Sequence, residues 1–275
     1  MPELPEVEVV RRELVKLREG AIVRLESRDP RVFVSRASVV GRVIREVRRR
    51  GKWLRLDLDE GFVFSHLGMT GDWTLRGASD AELPFERVRM DVERAGRIIS
   101  ARYTDARRFG RFVATDHEID AWRDLGPDPL LDGIDEERVL ARMTKSKRAV
   151  KALLLDQTLL AGVGNILAIE ALWNAQIDPR VRASRMDARD VRAIAKGLRA
   201  IITRTIAYDE KMIGARRHIK TPFRVYGRAK EPCPRCGTIL MQKVLAGRGT
   251  TFCPGCQHAH APRGRGQAGL RLAAR

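Results

Sequence analysis

Apolar and polar positions alternate along the first third of the chain. Between Lys52 and Leu58 the leucines Leu54, Leu56 and Leu58 share one face, and Arg55 and Asp57 the other. Phe62, Val63 and Phe64 follow after an Asp59-Glu60-Gly61 turn. A period of two marks half-buried strands, and the turn residues between them mark hairpins. Residues 22–25, 39–47, 88–92 and 98–103 give further short strands, separated by Gly, Asp and Pro. Many short strands with turn signals predict a β-sandwich. The start of the chain departs from this rhythm. Val7, Val10, Leu14 and Leu17 recur at helical spacing, with Pro5 tolerated in the first turn.

A loop at Gly126-Pro127-Asp128-Pro129 changes the regime, and beyond it the period is helical. Val139, Leu140 and Met143 are followed by Val150, Leu153 and Leu154, and then by a segment from Asn165 through Trp173. The longest helix follows Asp187, a good N-cap, with Val191, Ile194, Ala195, Leu198, Ile201 and Ile202 as one apolar stripe. That stripe predicts core, with the helix ending near Ala207. Residues 157–165, closing on Ala161-Gly162-Val163-Gly164-Asn165, read as a glycine-bearing turn between two helices. No internal repeat is apparent. The last 14 residues, from Pro262, carry four Arg and no acid, which predicts a disordered basic tail.

The 275 residues allow one large or two modest domains, and 44% hydrophobic content suffices for a core. Lys+Arg 53 against Asp+Glu 35 gives a formal net charge of +18, which suits a polyanionic partner. A genome-wide arginine bias would give the same balance, so charge alone leaves the partner open. The Arg residues are spread along the chain, which argues against a membrane-surface helix. No apolar run approaches the roughly 18 residues of a membrane span, and the start lacks a secretory h-region. A soluble intracellular protein is expected.

All four cysteines lie near the C-terminus, as Cys233-Pro-Arg-Cys236 and Cys253-Pro-Gly-Cys256, 16 residues apart. Two such knuckles match a tetrahedral Cys₄ zinc ribbon, a closed site that folds rather than catalyses. Disulfides are the alternative, disfavoured inside a cell. His258 and His260 read as solvated rather than as ligands. Between the knuckles, residues 245–251 form a glycine-flanked hairpin tip carrying Arg248, which in a nucleic-acid binder would reach a phosphate.

The first residues after Met1 raise a chemical question. An α-amino group has a reference pKa of about 7.7–8.0, so near neutral pH a useful fraction is nucleophilic without burial. A secondary amine at a sugar C1′ opens to an iminium that cannot lose its charge by simple deprotonation. It remains an electron sink. Removal of Met1 would give Pro2 such an amine, and Glu3 would sit where a general acid or base is wanted. Alone, Pro after Met and acids in a first helical turn carry no such meaning.

The pair is not alone. PELPEVEVVRR (2–12), His66-Leu67-Gly68-Met69-Thr70-Gly71, the segment from Tyr103 to Gly110 (YTDARRFG), Gly162-Val163-Gly164-Asn165-Ile166, Val225-Tyr226-Gly227-Arg228 and the Cys₄ ribbon occur in that order. Over roughly residues 2–258 this resembles the formamidopyrimidine-DNA glycosylase family, the Fpg branch of the Fpg/Nei enzymes. The resemblance implies an α+β, multidomain protein: an N-terminal β-sandwich with flanking helices, then a helical helix–two-turn–helix domain and a Cys₄ zinc-finger hairpin. The corresponding segments are 1–121, a linker 122–136, 137–223 with a shortened lesion-capping loop, 224–258 and a basic tail 259–275. It implies double-stranded damaged DNA as partner, no membrane, one structural Zn²⁺ on Cys233, Cys236, Cys253 and Cys256, and a monomer in the bacterial cytoplasm, associated with the nucleoid. Pro2 is implied as nucleophile, Glu3 as acid/base, and Lys52 as a catalytic-site lysine contacting the phosphate beside the lesion. Asn165 and Arg248 resemble the clamp on the flanking phosphates. Met69, Arg107 and Phe109 resemble the residues that fill the gap left by an extruded base. His66 opens the loop carrying Met69 and joins the DNA-binding set. The implied activity is that of a bifunctional glycosylase/AP lyase excising formamidopyrimidines and 8-oxoguanine and cleaving the strand by β,δ-elimination.

Two departures bear on specificity. The segment from Tyr208 to Val225 is shorter than the glycine-rich loop that folds over 8-oxoguanine in the family. It is also basic, with Lys211, Arg216, Arg217, His218 and Lys220. Ala106 replaces a proline usual before Arg107. A preference for hydantoins or oxidised pyrimidines is therefore the alternative specificity. A non-catalytic damaged-DNA-binding paralogue is the alternative class, disfavoured by intact Pro2, Glu3 and Lys52.

Overall fold

The computed structural model describes residues 2–212 and 221–258. The chain divides into two compact units. One comprises residues up to 134 with 154–168 and 198–223. The other comprises 135–153, 169–197 and the residues from 224 onward. The expected basic tail, His260, and Arg216, Arg217, His218 and Lys220 lie outside the described residues.

In the first unit helix α1 (Leu4–Leu14) precedes nine strands: β1 (Ala21–Ser27), β2 (Phe33–Ser35), β3 (Ile44–Arg50), β4 (Trp53–Leu58), β5 (Phe62–His66), β6 (Asp72–Gly77), β7 (Glu86–Arg94), β8 (Arg97–Thr104) and β9 (Arg111–Thr115). They form two sheets. One has four antiparallel strands in the order β1-β7-β8-β6, the other five in the order β2-β9-β5-β4-β3, with only the β2–β9 pair parallel. Their inner faces share one core, where Leu54, Leu56 and Val63 meet Val88, Met90 and Tyr103. Val7 and Leu14 of α1, and Leu17 in the 3₁₀ turn that follows it, add their apolar stripe to it. The sandwich and its edge helix are thus as the alternation predicts.

Three short strands, β2, β6 and β9, lie outside the predicted set. Strand β6 has only Trp73 and Leu75 as inward apolar positions, and it is a strand because its register with β8 (Asp72↔Thr104) makes it one. The strand expected over 39–47 begins only at Ile44, since residues 39–43 turn around the positive-φ Gly41. After β9 come the short helix α2 (Asp120–Arg123), α3 (Glu136–Thr144), α4 (Val150–Leu154), α5 (Asn165–Asn174) and α6 (Ala188–Met212). Asp187 caps α6 as expected, its Oδ1 accepting from the N–H groups of Arg189 (2.8 Å) and Asp190 (3.0 Å). The predicted stripe is buried throughout. However, α6 continues five residues past Ala207, to Met212. No Gly or Pro stands in this extension, and the side chain of Glu210 pairs with Arg12 of α1. The segment expected as loop from Tyr208 therefore starts helical, and residues 213–220 lie outside the described residues.

In the second unit Ile169, Val225, Leu240 and three cysteines form a small core flanked by Trp173 and Tyr226. Glu170 is buried within it, and its carboxylate accepts from the backbone N–H groups of Arg224, Val225 and Tyr226 at 2.8–2.9 Å. Strands β10 (Met241–Leu245) and β11 (Arg248–Phe252) form an antiparallel hairpin. Ala246 and Gly247 turn it with φ of 51° and 69°, the left-handed pair of a tight hairpin turn. No helix among the described residues is long and apolar enough to cross a membrane.

Candidate active site

Pro2 and Glu3 lie at the mouth of α1, within the first unit. Glu3 is buried, and its carboxylate reaches the start of α5, accepting from the N–H groups of Ile166 (2.9 Å) and Leu167 (3.0 Å). Two otherwise unpaired donors of a helix N-terminus therefore hold this side chain. The approach requires a glycine before the helix. A Cβ on Gly164 would stand 2.3 Å from the Glu3 carboxyl carbon. The backbone N–H of Leu4 also bonds to the carbonyl of Gly162, at 3.2 Å. Burial raises the Glu3 pKa above the ordinary carboxylate value, opposed by the nearby Lys52 charge and by the two amides. The start of α5 thus holds the protein's own carboxyl group, and Asn165 stands half-buried as the first residue of that helix.

Lys52 occupies, with Gly51, the two-residue turn between β3 and β4. A buried network fixes this turn. Arg49 pairs bidentately with Asp128, both side chains without solvent exposure, and also bonds Glu8 of α1 at 3.1 Å. Asp128 accepts from the Gly51 N–H at 2.7 Å, and Arg49 donates to the Gly51 carbonyl at 2.9 Å. The loop that read as a mere connection thus anchors the turn bearing Lys52 by its one buried acid. Guanidiniums of Arg11, Arg12 and Arg49 outweigh burial and hold Glu8 down to about 2, so Glu8 stays charged at neutral pH.

His66 ends β5 opposite Trp53. Its Nδ1 accepts from the Gly68 N–H at 3.0 Å, leaving the proton of the neutral ring on Nε2. Burial, then the charges of Lys52 and Arg111, push its pKa down to about 4. A neutral ring follows at pH 7. Beyond it, residues 67–71 and 105–110 form two loops in backbone contact. Gly68, at φ 62°, permits this, for a Cβ there would lie 2.4 Å from the backbone of Phe109. Asp105 is fully buried and binds both loops, accepting from the Thr70 hydroxyl and from the N–H groups of Arg107 (3.1 Å) and Gly110 (2.7 Å). Half-buried Met69 and exposed Arg107 and Phe109 are thus carried by one tied pair of loops. The Arg107 guanidinium lies over the Phe109 ring at 4.9 Å. Pro2, Glu3, Lys52, His66, Met69, Arg107, Phe109 and Asn165 all belong to the first unit.

Arg248 belongs to the second unit, exposed at the first position of β11 after the hairpin turn. The four cysteine sulfurs there lie within 4.8 Å of one another. Cys233–Cys256 and Cys236–Cys253 are 3.8 and 3.4 Å apart, close to the edge of about 3.8 Å that four sulfurs at 2.3 Å around a tetrahedral zinc define. Two donors point at them: Trp173 Nε1 at 3.5 Å from Cys233 Sγ and Arg235 Nη1 at 3.6 Å from Cys256 Sγ. Donors suit thiolates that carry metal-bound charge. The site fits one structural zinc held by these four residues. His258 stands outside this cluster, its side chain exposed while its N–H bonds Gln176.

Residues that the chain pattern alone did not single out are Arg49, Asp105, Asp128 and Glu170. Each is a buried charge whose role depends on partners from other segments. Asp105 was visible only as a member of its motif.

Three family models match the chain: the formamidopyrimidine-DNA glycosylase N-terminal domain over residues 1–112, the formamidopyrimidine-DNA glycosylase H2TH domain over 125–217, and a zinc finger found in FPG and IleRS over 230–259. A formamidopyrimidine-DNA glycosylase of Geobacillus kaustophilus is 36% identical over 94% of this chain and 100% of that protein. The crystal structure of the MutM (Fpg) protein of Thermus thermophilus superposes with a TM-score of 0.81 at 36% identity, covering 94% of this chain and 100% of that one. The Lactococcus lactis Fpg, solved with DNA containing FAPY-dG, superposes with a TM-score of 0.82 at 31% identity, covering 93% and 99%. With an acid seated on a helix start beside Pro2, a zinc-fitting ribbon and near-complete coverage of these proteins, the chain belongs to the formamidopyrimidine-DNA glycosylase family.

Proposed function

We propose that the chain is a bifunctional DNA glycosylase/AP lyase of base excision repair that removes oxidised bases, formamidopyrimidines and 8-oxoguanine among them, from double-stranded DNA. The observation that carries this reading is the Glu3 carboxyl, buried next to Pro2, held by the amides of Ile166 and Leu167 and lying under the charge of Lys52. Its raised pKa keeps a proton available for a sugar oxygen.

With Met1 removed, the unprotonated Pro2 amine attacks C1′ of the extruded nucleotide. The glycosidic bond breaks, and the base leaves with the proton the amine gives up. Glu3 donates its proton to O4′ as the C1′–O4′ bond opens, leaving an iminium between Pro2 and C1′. Loss of a C2′ proton expels the 3′ phosphate, loss of a C4′ proton expels the 5′ phosphate, and water then frees Pro2. Lys52, Asn165 and Arg248 contact phosphates. Met69, Arg107 and Phe109 fill the vacated stack, and His66 donates from Nε2 beside them. Cys233, Cys236, Cys253 and Cys256 would hold a zinc ion that folds the hairpin carrying Arg248. Such a substrate places the chain in the bacterial cytoplasm, at the nucleoid.

Single-turnover assays on matched duplexes carrying formamidopyrimidine, 8-oxoguanine, a hydantoin, an abasic site or no lesion test the reading. Cleavage of the damaged strands alone is expected. Binding of every lesion duplex with no strand cut identifies a non-catalytic binder and overturns it.

A further inference from the structure

A pocket of about 390 Å³ opens in the second unit, on the segment that joins α5 to α6. Asp178, Arg180, Val181, Arg182 and Arg185 line it. Its one acid is already engaged. Asp178 is buried, and its carboxylate accepts from Arg180 Nε at 2.9 Å and Nη2 at 2.6 Å. Arg182 and Arg185 are exposed, and neither meets a carboxylate among the described residues. The backbone brings a further cation alongside. Ala183 and Ser184 donate their N–H groups to the carbonyls of Arg148 (2.8 Å) and Ser146 (3.0 Å), which sets exposed Lys147 beside them.

Two contacts tie this surface to the zinc hairpin. The Arg180 guanidinium lies 4.7 Å over the ring of Phe252, the last residue of the strand that begins with Arg248. His258, just past the fourth cysteine, donates its N–H to the Gln176 carbonyl at 3.1 Å, and its own carbonyl accepts from the Asp178 N–H at 3.3 Å. The chain beyond His258 is therefore rooted at the pocket's edge. Residues 259–275, outside the described residues, include Arg263, Arg265, Arg271 and Arg275 and no acid. The zinc-finger family match ends at residue 259, so these arginines are an addition to the shared scaffold.

We propose that Arg182, Arg185 and the arginines beyond His258 form a second phosphate-binding surface, which grips the backbone of the bound duplex outside the nucleotides held by Lys52, Asn165 and Arg248. The proposal rests on the DNA-glycosylase reading above. Guanidiniums without an acid partner suit phosphate oxygens, which they can meet with paired N–H donors. The pocket offers a base nothing to stack on, since Val181 is buried and the Phe252 ring is covered by Arg180. Such a surface reads the backbone and no sequence. Fully extended, residues 259–275 reach about 55–60 Å from His258, enough to follow the phosphates on either side of a lesion. Contacts of this kind hold an enzyme on undamaged DNA while it searches.

The test is the salt dependence of affinity for abasic duplexes of about 40 and about 12 base pairs, with the abasic site at the centre. Three proteins are compared: the full chain, the Arg182→Ala/Arg185→Ala double variant, and a chain ending at His258. Each lost phosphate contact lowers the slope of log K against log salt by about 0.9. On the long duplex the double variant should be shallower than the wild type by about 1.8, and the shortened chain by up to about 3.6. On the short duplex all three should agree to within about one contact. Cleavage of the saturated abasic duplex in a single turnover should be the same in all three, because neither change touches the chemistry. A wild-type slope on the long duplex in either variant overturns the proposal. Equal slope losses on both duplexes also overturn it, since they place these cations at the lesion itself. A wild type that binds both duplexes and cuts neither defeats the glycosylase reading alone, and the slopes still decide this one.

Discussion

Glu3 shows how a single carboxyl is given two demands at once. Burial favours its protonated form, while Ile166, Leu167 and Lys52 stabilise the anion left after it gives the proton away. A group poised in this way suits an acid that must act and then recover. Because the folded pKa is raised, the active protonated form is complete at low pH and is lost as pH rises through that value. In the proposed mechanism the Pro2 amine works in the opposite sense, since only its unprotonated form is a nucleophile. Base excision should therefore follow a bell-shaped pH profile. Glu3→Gln should slow excision by about 10²–10⁴-fold, the usual scale for a lost general acid, and slow cleavage of a preformed abasic site less. Equal losses in the two assays would contradict the assigned role. Pro2 and Glu3 were legible in the sequence only as members of an ordered set of motifs. The run of α6 past Ala207 was not legible, because it brings Glu210 to a partner on α1, Arg12, that lies far away in sequence.

At the scale of elements, the two-residue turn bearing Lys52 depends on a buried ion pair, Arg49–Asp128. Removing one partner strands a charge, so Asp128→Ala should cost about 3–5 kcal/mol and release the turn, whereas an apolar replacement of both partners should cost less. Denaturant unfolding of the single and double variants checks this. A single variant within experimental error of the wild type would show that the pair does not hold the turn. The zinc hairpin depends on its metal in a similar way. Chelation should disorder β10 and β11, which carry Arg248, and weaken binding to an abasic duplex while the strand signal of the sandwich persists. Undiminished binding after quantitative zinc loss would show that the ribbon does not position Arg248. The knuckles were readable because their spacing is local, and so were the stripes of α1 and α6 and the alternation of β4. Asp128 was not, since Arg49 lies 79 residues away and the surrounding Gly and Pro suggest only a turn. Strand β6 escaped for a related reason: its two inward apolar residues become a strand only through β8.

For the whole molecule, a formal charge of +18 agrees with a DNA partner but would fit many polyanions, so composition alone could not choose among them. The choice rests on chemistry that the chain places at its start. Family membership establishes the scaffold, and the buried Glu3 beside Pro2 gives that scaffold a reason to react through an N-terminal amine. The most direct test is borohydride trapping of the enzyme on an abasic duplex, followed by identification of the cross-linked residue by mass spectrometry. The account predicts a covalent adduct on Pro2 alone, formed only by protein from which Met1 has been removed and absent in Pro2→Gly. An adduct on a lysine such as Lys52, or trapping undiminished with Met1 retained, would contradict it.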